Sequence, residues 1–206
     1  MSLLSWRKPK VPNNRPANFI GRYYNKDLLR AWIPYVPLTD RPINYLEIGV
    51  ADGGNAINVA NTYCKHPHSR IYCVDPWTDY DEYPEYKGKQ EVGWNTFRTN
   101  IRNSGSFEKF IVNKGFSDSI VPSFQDNFFD IIFVDGNHQE EYVYRDGVMS
   151  LNKCKPGGYI IFDDYVPGQW YQTIRGIDRF QKDYAHRIEI ITKMTSAYQS
   201  IVRKKE

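Results

Sequence analysis

Cysteine is scarce. Cys64, Cys73 and Cys154 are the only three, and they lie far apart. They make neither a CxxC metal knuckle nor a disulfide framework, so they read as reduced, buried thiols. Long apolar runs are also missing. None approaches the roughly 20 residues that cross a bilayer. The opening stretch "MSLLSWRKPKVPNNRPANF" lacks the apolar core of a signal peptide. The expectation is a cytoplasmic protein with no membrane partner. Charge of one sign is not in excess either. The net charge is +3, whereas a dedicated nucleic-acid binder carries a strongly basic patch. There is no internal repeat and no domain boundary.

What is present suits one soluble core. Of the 206 residues, 41% are hydrophobic and 25% charged. Aromatics reach 16%, including 16 tyrosines, and many fall outside the expected strands. Such rings supply flat faces for sugars or bases, or simply pack. Residues 1–18, basic and rich in Pro and Asn, read as a mobile arm before a single domain over 19–206.

The periodicity predicts a helix over 25–36 and a buried strand over 43–49. A helix over 55–65, a strand over 70–75 and an acidic, aromatic loop over 76–90 follow. Then come a helix closed by Gly105, a strand over 109–115, a short helix over 119–125 and a strand over 129–135. A helix over 140–154, a strand over 158–164, a helix over 168–184 and two final strands around "TSA" complete the chain. Alternating strands and helices imply parallel βαβ units. Unbroken runs such as "IIFV" and "YIIF" suit strands buried on both faces. The expected fold class is α/β, a doubly wound, mostly parallel seven-stranded sheet with an antiparallel C-terminal hairpin. Ligands bind such sheets outside the carboxyl ends of the strands.

Acids punctuate those ends. "LEIGVADGGNAI" places Glu47 at the end of the first strand and a turn with Gly49, Val50, Ala51 and Gly53 before a helix. Glycine lets a backbone turn tightly and approach a ligand, yet the pattern is not the GxGxxG of dinucleotide enzymes. Asp75 ends the second strand, where an acid accepts hydrogen bonds from ribose hydroxyls in dinucleotide folds. Ser117 follows the third strand and is a candidate border of a base. Asp135 ends the fourth strand, and the pair Asp163–Asp164 ends the fifth. Adjacent strands are about 4.8 Å apart, so these three acids should lie close together. Clustered carboxylates raise one another's pKa unless a cation compensates. Ligands offering oxygen alone favour Mg²⁺, Mn²⁺ or Ca²⁺. Consecutive strand residues point to opposite faces, so Asp163 and Asp164 share an ion only if the strand has already ended.

The ordered Glu47, glycine turn, Asp75 and "DG" pair resemble the class I S-adenosylmethionine-dependent methyltransferases, over about 44–203. The resemblance implies a Rossmann-like methyltransferase fold. It implies that Glu47 orients the methionine amino group or the adjoining loop, that Gly49 and Gly53 pack on the cofactor, and that Asp75 holds its ribose. "VDGNH…GGYIIFDDYVPGQW…RGIDRF" is similar to the metal-dependent sugar and natural-product O-methyltransferases of the macrocin type. On that resemblance Asp135, Asp163 and Asp164 fall on metal-ligand positions, and Gly176, Asp178 and Phe180 match a later segment. The chain departs from the pattern at Asn137 and His138. The base is His138, whose unperturbed pKa lies near neutrality, or else Asp135.

The expected activity is S-adenosylmethionine-dependent methylation of a sugar hydroxyl, assisted by Mg²⁺ or Mn²⁺. Substrate-contact candidates are Trp77, Tyr80, Tyr83 and Tyr86 in the loop after the second strand, with His138, Tyr165, Trp170 and Tyr171. The alternatives are a catechol or other phenolic acceptor, or a non-catalytic cofactor-binding protein. A nucleic-acid methyltransferase is disfavoured by the short basic arm and the missing NPP[FY] tetrapeptide. The partner is a carbohydrate or other small hydroxyl acceptor, and homo-oligomerisation stays open.

Overall fold

The computed structural model describes residues 19–21, 31–80 and 87–206. The expected arm over 1–18, the first half of the expected helix over 25–36, and Tyr83 and Tyr86 lie outside the described residues. The described elements are β1 (Asn44–Ile48), α1 (Gly54–Ala60), β2 (Arg70–Asp75), α2 (Gln90–Asn103), β3 (Phe110–Lys114), α3 (Ser117–Ile120), β4 (Phe129–Val134), α4 (Glu140–Lys153), β5 (Cys154–Phe162), α5 (Tyr171–Asp183), β6 (Ile188–Thr192) and β7 (Ser200–Lys204). Seven strands form one sheet in the order β3-β2-β1-β4-β5-β7-β6. The first five run parallel, and β7 pairs antiparallel with both β5 and β6. Among the described residues no helix is long and apolar enough to cross a membrane.

Period-two geometry divides the sheet into two cores. Tyr45, Ile131, Phe133 and Ile161 meet α1, α2 and Trp32 on one face. Leu46, Ile48, Ile132, Val134 and Phe162 meet α4 and α5 on the other. Every residue of β4 is buried, as the unbroken "IIFV" requires. The strand order reverses between β1 and β4, which puts the crevice outside their carboxyl ends.

Some boundaries differ from the sequence pattern for tertiary reasons. Helix α1 ends at Ala60, short of 65, because the backbone tightens there: Asn61 N donates to Asn58 O and Thr62 N to Val59 O, both at 3.2 Å. The freed carbonyls of Cys64 and Lys65 accept from buried Lys109 Nζ at 2.7 and 3.1 Å. Strand β5 starts four residues early, at Cys154, where its pairing with β4 is irregular between Phe129 and Ile131. The short helix after β3 starts at Ser117 and continues as a 3₁₀ turn over Val121–Ser123.

Asn100 on α2 ties down a distant segment. Its side chain accepts from Ile20 N at 2.8 Å and donates to Ile20 O at 2.6 Å and to Asp52 O at 2.8 Å.

Candidate active site

At Gly49, φ is +81°, and a Cβ there would sit 1.8 Å from the Asp135 carbonyl oxygen. The ends of β1 and β4 therefore touch backbone to backbone, which only glycine allows. Glu47, one residue pair back from this turn, is 1% exposed. It shares its strand face with Tyr45, whose hydroxyl donates to Glu47 Oε2. Asn55 Nδ2 on α1 donates to the same oxygen at 2.9 Å. Burial pushes the Glu47 carboxyl up to about 8, against those hydrogen bonds.

Asp75 closes the glycine turn. Its Oδ2 accepts from Val50 N at 2.8 Å and Ala51 N at 3.0 Å, and its Oδ1 from Trp77 N at 2.8 Å. Both lone pairs of Oδ2 are committed, leaving Oδ1 one acceptor site for a ribose hydroxyl. Trp77, expected at a substrate face, is instead 3% exposed. Its indole donates to Ala51 O at 3.0 Å and stacks on Phe97 at 4.7 Å. That corrects the sequence expectation: Trp77 props the turn from beneath.

The acids after β4 and β5 answer the question of shared facing. Strand β5 ends at Phe162, and Asp164 takes φ +55°, a left-handed conformation that Asp tolerates better than most residues. The chain turns between the two acids. Ligand atoms of Asp135, His138 and Asp164 lie within 4.8 Å of one another. His138 Nε2 is 2.7 Å from Asp164 Oδ2 and 3.9 Å from Asp135 Oδ1. Asp163, expected as a metal ligand, is not in this group; its carboxylate adds negative charge beside Asp135 instead. Imidazole takes the corner that sequence spacing gave to Asp163.

Asp163 keeps company with Gln199, which is wholly buried. Trp32 Nε1 donates to Gln199 Oε1 at 2.7 Å, so the amide nitrogen faces away from the indole. Gln199 favours ionised Asp163, although no hydrogen bond of good geometry joins the two. Burial, then the Asp164 charge, pushes Asp163 up to about 7. Burial raises Asp135 well above the carboxylate range, and the charges of Asp163 and Asp164 add to this. A third of the Asp135 side chain still reaches solvent (32%), so the acid lies in an open recess. The arrangement is a concentrated negative field with one imidazole in it.

The first turn of α5 holds His138 from the far side. Trp170 stacks on its ring at 4.7 Å and 30°, and Thr173 Oγ1 donates to His138 O at 3.2 Å. Tyr165 is half-buried and donates to Asp178 Oδ1 at 3.0 Å. The Gly176, Asp178 and Phe180 segment is scaffold: Phe180 lies in the core, and Gly176 lets α5 approach the Glu140 carbonyl. Ser117 donates to Asp146 Oδ1 on α4 at 2.6 Å. Tyr80 is partly buried beyond Trp77, and Tyr171 is 67% exposed beside Trp170. Tyr45, Asn55, Thr173, Asp146 and Gln199 were not expected. Only Tyr45 carried a signal, since it shares a strand face with Glu47 two residues on.

Residues 46–165 match the family described as methyltransferase domain, across the glycine turn and both acid-bearing strand ends. The chain belongs to this methyltransferase family. An uncharacterized protein of Acanthamoeba polyphaga mimivirus is 30% identical over 132 residues, 62% of this chain. The match spans about half the length of that relative (54%). Two solved methyltransferases share the fold. The O-methyltransferase TomG of Streptomyces achromogenes, involved in tomaymycin synthesis and solved with S-adenosylmethionine, superposes with a TM-score of 0.61 at 15% identity, covering 92% of this chain and 83% of that one. An O-methyltransferase of Bacillus cereus with bound S-adenosylhomocysteine gives 0.59 at 20% identity, covering 93% and 85%. The methyltransferase domain thus has the Rossmann-like seven-stranded sheet expected for it.

Proposed function

We propose that the protein is an S-adenosylmethionine-dependent O-methyltransferase that acts on a sugar hydroxyl with the help of a divalent cation. The observation that carries this reading is the gathering of Asp135, His138 and Asp164 within 4.8 Å at the carboxyl ends of β4 and β5, beside Glu47 and Asp163. Such a field is costly without a positive partner. The cofactor brings a sulfonium and an amino group, and a metal ion brings more. The residues fit a divalent cation, with Asp135, Asp164 and His138 as the holding set. A mixed oxygen and imidazole set suits Mn²⁺ better than Ca²⁺. When bound, such an ion lowers the pKa of a hydroxyl and orients it.

The chain's own groups do the rest. The glycine turn, fixed by Asp75, receives the cofactor next to Glu47. With the ion held, Asp164 and His138 would be committed as ligands, and the proton that the acceptor hydroxyl loses as its oxygen attacks the methyl carbon would pass to water in the open recess. Without the ion, the Asp164–His138 pair, 2.7 Å apart, can take up that proton. Trp170 and Thr173 keep that imidazole in one orientation. A sugar hydroxyl is a poor acid, so it gains more from this polar recess than a phenol of pKa near 10. Tyr171 and the acid-rich stretch over 76–90 support a hydroxyl-rich acceptor.

The test has two stages. Calorimetry should first show S-adenosylhomocysteine and Mn²⁺ binding. A matched panel of glycosides and catechols is then assayed for methyl transfer by mass spectrometry. Turnover of glycosides with vicinal hydroxyls, abolished by EDTA, is the expected result. Turnover confined to catechols would overturn the sugar assignment, and full turnover in chelator would overturn the metal.

A further inference from the structure

Two non-glycine residues beside the end of β5 are left-handed. Asp164 has φ +55° and Tyr198 has φ +58°. A Cβ resists that region, most of all on a bulky side chain, so such residues persist only where their surroundings impose it. Phe162, the last residue of β5, pairs with Ser200, the first of β7. The turn between β6 and β7 therefore comes back to the acids that follow β5.

That turn is closed on itself. Thr195, 4% exposed, donates its N–H to Gln199 O at 2.8 Å and accepts from Tyr198 N on its carbonyl at 3.1 Å. Its hydroxyl oxygen accepts from Ala197 N at 3.1 Å and Gln199 N at 3.2 Å. Tyr198 O is fixed by this closure, and it accepts from Tyr165 N at 2.7 Å. The other end of Tyr165 is held as well. Its hydroxyl donates to Asp178 Oδ1 on α5 at 3.0 Å. Lys193 Nζ, from the start of the same turn, donates to that oxygen at 3.0 Å. Between its two ends the ring packs on the core that holds Phe162 and Phe180. The amide that Tyr198 receives is the one joining Asp164 to Tyr165, so the clasp acts directly on the Asp164 backbone.

We propose that Tyr165 is a positioning residue: clasped by Tyr198 and Asp178, it holds Asp164 in the conformation that brings its carboxylate to His138. The use of that corner rests on the cation reading given above. Tyr165 acts through Asp164, not as a ligand. The C-terminal hairpin thus does more than finish the sheet. Its turn sets the direction of a carboxylate that lies about thirty residues earlier in the chain, where the Asp164 pair with His138 measures 2.7 Å. A ligand set must be held by its supporting groups to keep its geometry.

The experiment measures Mn²⁺ and S-adenosylhomocysteine binding by calorimetry on the full chain. Tyr165→Phe keeps the ring and loses the bond to Asp178. Mn²⁺ should bind about fivefold more weakly, with S-adenosylhomocysteine affinity unchanged within about twofold. Asp178→Leu should do the same, and the double variant should be no weaker than either single one, because both remove one bond. Asp178→Asn keeps an acceptor oxygen and should restore the wild-type affinity. Tyr144→Phe is the control. It removes a similar bond between α4 and α5, from the Tyr144 hydroxyl to Asp183 Oδ2 at 3.1 Å, and should leave Mn²⁺ binding intact. Unchanged Mn²⁺ affinity in both Tyr165→Phe and Asp178→Leu would overturn the assignment, whatever their melting temperatures. So would equal weakening by Tyr144→Phe. A second readout needs no metal: the ¹⁵N shifts of the His138 ring at one pH, assigned with His138→Gln, should move in Tyr165→Phe. If the wild type bound no Mn²⁺, the cation reading would fall, and the ring shifts would decide the clasp: moved, it stands; unmoved, it falls too.

Discussion

Strand β4 carries an acid near each end, and the two live under opposite rules. Asp130, near its start, is 5% exposed. It meets Arg41 Nη1 at 2.7 Å, Lys155 Nζ at 2.8 Å and Asn44 N at 2.8 Å. Burial alone would raise its pKa, but Lys155, the Asn44 amide and Arg41 overcome this and hold it below the usual range. Asp135, just past the other end, has Asp163, Asp164 and Glu47 for neighbours and only His138 to offset them. One end of the sheet has its charges matched within the chain. The other has them left for something that arrives from outside. The same residue type, five positions apart, stabilises the fold at one end and, on the proposed reading, serves binding at the other.

The contrast breaks most visibly through Asp130. Asp130→Ala strips Asn44 N of its acceptor and two cations of their partner. It should cost about 2–3 kcal/mol in urea unfolding. Asp135→Asn should cost nothing or add stability, because it relieves repulsion, while Mn²⁺ binding is lost. Comparable destabilisation by both would erase the distinction between the ends.

Glu47 sharpens the contrast through pH. Its folded pKa of about 8 lies above its unfolded value. The native state is then unpenalised below the unfolded pKa, and stability is lost as pH rises through the folded one. Glu47→Gln keeps an acceptor for Tyr45 and Asn55 but cannot ionise. Its stability relative to wild type should rise from pH 5 to pH 8, by about 1–2 kcal/mol after relaxation. A difference that stayed flat with pH would mean that Glu47 is better solvated than its burial implies. The smallest effect belongs to Trp170→Leu. Losing the ring stack on His138 should weaken Mn²⁺ binding by about threefold, with S-adenosylhomocysteine affinity unchanged.

The sheet was largely legible because strands buried on both faces leave continuous apolar runs, and "INYLEI", "IIFV" and "YIIF" do so. Strand ends were legible because acids mark them. What stayed hidden depends on backbone turns and distant partners. The left-handed turn at Asp164 leaves no mark in "DDY", so the exchange of Asp163 for His138 at the third corner could not be foreseen. The tightening that ends α1 early leaves carbonyls for Lys109, 45 residues later. Ser117 pairs with Asp146, 29 residues further on, in a helix that reads as ordinary. Trp77 was misplaced because composition marks a ring as aromatic without saying which side of a loop it takes.

The Asn100 tie bears on the order in which the molecule can be completed. Residues 19–21 leave the ribosome early, but the amide that holds Ile20 by both backbone groups comes 80 residues later. The same amide holds the Asp52 carbonyl of the glycine turn. Neither the first described segment nor that turn can reach its final position until α2 has been synthesised and packed. The cofactor turn is thus early in sequence and late in assembly, a non-local closure that slows folding. A nascent chain stopped before residue 100 would carry every glycine of that turn and the Asp75 that grips it, yet lack the amide that holds the Asp52 carbonyl.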